Sequence, residues 1–130
     1  MSRKHIFATL VCAALFADST TVTAEQRPVP PGPVIMVHFD YYPKDRAQVH
    51  ALEHRLESVI KRANAGELGE SELHVDGNDG YLYMYGPDPD RLYAVTSSIM
   101  KSSKLLKNAE VTKHYGSRDE TFVIGRDRGR

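Results

Sequence analysis

The chain has 130 residues, 41% of them apolar and 26% charged, with 17 Lys+Arg, 17 Asp+Glu and a single cysteine. That size and balance fit one globular domain, and a formal net charge of zero excludes a polyanion-coating protein by bulk charge. Cys12 sits in the N-terminal apolar run, so the chain beyond it has no thiol for a nucleophile, a disulfide or a cysteine-based metal site.

The first 24 residues read as a signal peptide. Arg3, Lys4 and His5 form a basic start, Ile6 to Ala17 is apolar, and Val22-Thr23-Ala24 offers a small-residue cleavage site before Glu25. The apolar run falls short of the roughly 20 residues that cross a bilayer, so no membrane span is expected after cleavage. Val11 before Cys12 is too large for a lipoprotein site. The expected location is therefore outside the cytoplasm, periplasmic or secreted. Residues 25–33 carry Pro28, Pro30, Pro31 and Pro33 and read as an extended linker.

A domain over residues 34–124 follows, with a frayed basic tail after it. Val34 to Tyr42 alternates as a strand, with Ile35, Val37, Phe39 and Tyr41 inward and Met36, His38 and Asp40 outward. Asp45 to Ala63 is the strongest helix. Asp45 and Gln48 resemble a capping box, and Val49, Leu52, Leu56, Val59, Ile60 and Ala63 form one apolar stripe. Asn64-Ala65-Gly66 ends it. Glu70 to Asp76 is a second strand through Leu73 and Val75. Gly77 to Gly80 is a turn, and Tyr81 to Tyr85 is a third strand that completes a hairpin. Leu82 and Met84 point inward there, and Tyr81, Tyr83 and Tyr85 outward. Asp88 caps the next helix, with Pro89 at its first position. A stripe of Leu92, Val95, Thr96, Ile99 and Ser103 carries that helix to about Lys104. Ala109 to Tyr115 is the fourth strand, with Val111 and Tyr115 inward and Thr112 and His114 outward. Glu120 to Ile124 is a possible short fifth.

The order strand, helix, strand, strand, helix, strand predicts an α+β fold of the ferredoxin-like, split βαβ kind. It implies a four-stranded antiparallel sheet with both helices on one face. The stretch GYLYMYGPDPD, with the helix before it and the late strand VTKHYG, resembles small bacterial ferredoxin-like domains whose third strand ends Tyr-Gly-Pro-Asp before a helix. The resemblance covers about Val34 to Ile124. It implies the fold and no catalytic residue. Lys113, at an inward position, departs from the apolar residue expected there.

Two constellations compete for function. On the uncovered sheet face, Tyr81, Tyr83 and Tyr85 are expected beside His38, Asp40 and His114. Tyrosine brings apolar area with a polar tip, which suits a protein interface. The expected occupant is a protein partner or a second copy of the chain, and a concrete version is an inhibitor or immunity-type protein. Nucleic acid is not expected, because the Lys/Arg-Gly-Phe pattern and basic surface of RNA-binding sheets are missing. The alternative is a metal site on the first helix. His50, Glu53 and His54 match H-x-x-E-H, and Glu57 continues that face. The competing explanation is a solvated helix face, since zinc peptidases build a cleft from far more structure. No cofactor is implied. Asp88 and Asp90 are explained by capping and the helix dipole. Asp76, Asn78 and Asp79 lack the closing glutamate of a calcium loop. The serines at 97, 98, 102 and 103 lie outside any nucleophile elbow.

Overall fold

The computed structural model describes residues 31–125. The expected signal peptide, most of the proline-rich linker and the basic tail lie outside the described residues. The described part is α+β: two helices and an open, antiparallel, six-stranded sheet. Its strands are β1 (Ile35–Asp40), β2 (Glu67–Leu68), β3 (Glu72–His74), β4 (Asp79–Tyr85), β5 (Glu110–His114) and β6 (Asp119–Val123). Its helices are α1 (Arg46–Ala63) and α2 (Pro89–Ser102).

β1 lies at the centre, paired with β4 on one side and β5 on the other. β4 also pairs with β2 and β3, and β6 pairs with β5 at the opposite edge. The sheet has six strands, where four were expected with a possible short fifth. β6 takes the place of that fifth, β3 lies within the expected Glu70–Asp76 strand, and β2 is a strand not expected. Gly69 still bonds β4, its amide donating to the Tyr83 carbonyl at 2.8 Å, and it lies under the Tyr85 ring, where an added Cβ would stand 2.5 Å from Cε1.

One face of the sheet is dry. Ile35, Val37, Leu82, Met84 and Val111 are fully buried there. Both helices lay their apolar stripes on it: Val49, Leu52, Leu56 and Ile60 from α1, and Leu92, Thr96 and Met100 from α2. Thr96 resolves its burial by donating to the Leu92 carbonyl at 2.9 Å. Gly80 faces inward, and a Cβ there would stand 2.9 Å from both Phe39 and Leu73. Its missing side chain lets those two close the corner of the core.

Helix ends follow the sequence signals with one exception. Asp88 accepts from the amides of Asp90 and Arg91 at 3.0 and 3.3 Å, with Pro89 first in α2. Asn64 ends α1 in the left-handed region at φ 52°, and Arg91 donates to the Ala63 carbonyl at 2.7 Å. The exception is Asp45. It does not cap α1; its carboxylate accepts from the Tyr42 amide at 3.0 Å and closes a 3-10 turn over Pro43–Asp45. Proline at the turn's start favours that tighter geometry.

Lys113 is inward, as its parity requires, and its chemistry adapts. Its stem runs between Tyr93 and Phe122, with Nζ 5.1 and 5.7 Å from their ring centroids. The ammonium donates to Asp90 at 2.9 Å. Burial alone would lower its pKa, but the bond to Asp90 and the surrounding charge raise it. The lysine fills an apolar site with its methylenes and delivers its charge to the rim. Tyr115 also donates to Asp90, which holds that carboxylate below its usual range.

Candidate functional site

Among the described residues no helix lies on the opposite face of the sheet. Alternation along each strand places its side chains. β1 sends out Met36, His38 and Asp40, and β4 sends out Asp79, Tyr81, Tyr83 and Tyr85. Register puts His38 beside Tyr81 and Met36 beside Tyr83. From the other side, Glu72 of β3 lies opposite Tyr81, and His74 opposite Asp79.

These side chains form an ordered array. The His38 and Tyr81 rings stack, with centroids 4.4 Å apart and planes at 12°. The Tyr81 and Tyr83 rings lie parallel, 6.0 Å apart. His74 meets Tyr81 edge-on at 5.9 Å. Polar bonds fix each end. His38 Nε2 donates to one oxygen of Asp79 at 2.7 Å, and His74 Nδ1 donates to the other at 3.0 Å. An ionised carboxylate only accepts, so those two nitrogens carry the protons. The bonds from His38 and then His74 hold Asp79 below the ordinary carboxylate range. Tyr83 donates to Glu72 at 2.6 Å. That bond, with burial and the nearby charge, pushes the phenol up to about 12.

The expected residues are thus partly brought together. Tyr81, Tyr83 and His38 share one cluster. Tyr85 lies on the same face, with its ring over Gly69. Asp40 is exposed opposite Asp79 and has no side-chain hydrogen bond among the described residues. His114 stands apart. Its amide bonds Val34, four residues along β1 from His38, or roughly 13 Å at about 3.3 Å per residue. There its ring bonds Asp119, and Thr112 and Thr121 pair beside it at 3.1 Å.

Sequence reasoning does not single out Asp79, Glu72 or His74. Glu72 and His74 fall in the expected Glu70–Asp76 strand, whose alternation is weak. For Asp79 the cause is the turn. It occupies residues 75–78, with Asn78 left-handed at φ 55°, rather than Gly77 to Gly80. β4 therefore begins two residues early, and Asp79 becomes a strand residue on the tyrosine face. Val75, expected in the strand, lies in the turn and is 55% exposed. The usable signal was the alternation itself, which runs unbroken from Asp79 to Tyr85.

Among the described residues His38 and His74 bond Asp79 and no serine, threonine or cysteine, so the carboxylate orients both imidazoles. On α1 the four expected metal ligands do not converge. His50 leans on Glu53 at 3.3 Å, and Glu53 accepts from Ser71 at 2.6 Å. Glu57 faces Lys61 at 4.0 Å. Glu53 and Glu57 line one hollow with Leu68 to Ser71, whereas His54 lines another with Arg55, Ser58 and Arg62. Among the described residues no group of three or more His, Cys, Asp or Glu is placed to hold a metal ion. No described helix is long and apolar enough to cross a membrane.

Comparison of the chain with protein-family models, curated proteins and solved structures returns no match.

Proposed function

We propose that this chain is an exported, non-catalytic binding protein that seats a protein partner on the open face of its sheet. One observation carries the reading: the His38–Tyr81–Tyr83 array is held in a fixed arrangement by bonds at both ends, on a face that no element of the described chain covers. Rigid aromatic side chains with polar tips lose little entropy on contact and supply large apolar area. A hydrogen-bonded frame lowers the cost of ordering them further.

The fold proposed for it is an elaborated ferredoxin-like domain. The strand, helix, hairpin, helix, strand order supports this, as does β1 between β4 and β5. On that reading β2 and β6 are edge additions, and the likeness to small bacterial domains with Tyr-Gly-Pro-Asp after the third strand rests on Tyr85 to Asp88. Small size, export and an uncovered adhesive face suit an inhibitor or immunity-type protein.

The test is paired capture. Wild type and the Tyr81→Ala, Tyr83→Ala double variant are exposed to the same exported protein fraction. The captured protein is purified, and its affinity for both forms is measured. A loss of at least tenfold in a variant that keeps its circular dichroism spectrum supports the proposal. Equal affinity refutes it.

A further inference from the structure

The outward positions of the six strands share a charge pattern. They carry six carboxylates, Asp40, Glu67, Glu72, Asp79, Glu110 and Asp119, and no lysine or arginine. The chain as a whole is neutral, so the compensating positive charge lies elsewhere. Part of it is on the helices, where Arg46, Arg55, Lys61, Arg62, Arg91 and Lys101 outnumber Glu53, Glu57 and Asp90. The molecule is polarised across its two layers.

Three of the six carboxylates are engaged within the face. Asp79 receives His38 and His74, Asp119 receives His114, and Glu72 receives Tyr83. The other three, Asp40, Glu67 and Glu110, make no side-chain hydrogen bond among the described residues and are exposed. They surround the rings. Glu110 lies opposite His38 in the register, Glu67 opposite Tyr85, and Asp40 opposite Asp79. Stacking two copies face to face would bring one such set of carboxylates against another, which like-charge repulsion opposes. Aromatic faces flanked by carboxylates attract cations instead, through the ring quadrupole and through ion pairs at the rim.

We propose that the partner presents a cationic segment, rich in arginine or lysine, whose charged groups lie over Tyr81 and Tyr83 and pair with Asp40, Glu67 and Glu110. This rests on the partner-binding reading of the same face. It chooses between the two occupants that composition left open, and selects a basic partner over a second copy.

The experiment uses a fluorescent hexa-arginine peptide and a hexa-glutamate control, read by anisotropy against the full chain. Hexa-arginine is expected to bind, to weaken as salt rises, and to perturb the ring resonances of Tyr81 and Tyr83; hexa-glutamate is expected not to bind. Asp40→Asn, Glu67→Gln and Glu110→Gln together should weaken hexa-arginine at least tenfold. Glu57→Gln, Glu70→Gln and Asp76→Asn, an equal charge change off the face, should leave it within twofold. Equal losses in the two triple variants, or no hexa-arginine binding, overturn the proposal. So does a concentration-dependent dimer in sedimentation that the Tyr81→Ala, Tyr83→Ala variant dissolves. A captured partner that is lost by the double tyrosine variant but held undiminished by the Asp40, Glu67, Glu110 variant overturns the cationic segment and leaves partner binding standing. A partner held by the tyrosine variant removes both.

Discussion

The two faces of this sheet are made from the same strands and solve opposite problems. The helix side buries Ile35, Val37, Leu82, Met84 and Val111 completely. Their neighbours one residue away are His38, Tyr81, Tyr83 and Glu110, half-buried or exposed and linked by stacking and hydrogen bonds. The inner face is held by shape and loss of water. The outer face is held by geometry that leaves its rings reachable. Alternation makes the separation possible, because a period of two sends every second side chain to each layer.

That contrast has consequences of graded size. The largest belongs to the inner face. Leu56 is fully buried, and Leu56→Ala should lower unfolding free energy by about 2–5 kcal/mol, read from the urea midpoint. Lys113 sits where the faces trade roles. Lys113→Ala should cost about 1–2 kcal/mol through lost packing between Tyr93 and Phe122. Lys113→Met should cost less, because the stem is kept and Asp90 is mostly exposed. An equal loss in both would mean that charge, not packing, holds that corner. On the outer face Tyr81→Ala alone should cost about 1 kcal/mol or less.

The smallest effects are protonic. Asp79 is held low by its bonds from His38 and His74. Its contribution is therefore complete above the unfolded carboxylate value of about 3.9, and is lost as pH falls through the lower folded value. Asp79→Asn should flatten that part of the acid limb in a stability titration. Tyr83 runs the other way. Its neutral form is favoured, so its contribution is complete below about pH 10 and is lost as pH rises through about 12. In Glu72→Gln the Tyr83 ring carbon resonance should titrate nearer pH 10.

Much of this architecture was legible from periodicity. Both helices, the central strand, the inward set on β1 and β4, and the Asp88–Pro89 helix start follow from apolar spacing and capping chemistry. What escaped depended on contacts between segments distant in sequence. β2 at Glu67–Leu68 is two residues long with no alternation to read, and only its pairing with Tyr85 and Met84 makes it a strand. Met100 is fully buried yet fell outside the stripe assigned to α2. Asp45 looked like a helix cap, because a 3-10 turn uses the same residue types. For the site, the tyrosines and His38 were visible by parity. The partnership of Asp79 with His74 required the turn to be placed correctly within two residues. His114 shares the face but not the cluster, a distinction that needs the β1–β5 register.

The most direct test of the division between faces is the Tyr81→Ala, Tyr83→Ala chain measured twice, for unfolding midpoint and for affinity to the captured partner. The expected result is a modest loss of stability, on the order of 1–2 kcal/mol, with affinity down at least tenfold. A collapse of the fold would make the tyrosines structural. Unchanged affinity in a folded chain would place the binding surface elsewhere.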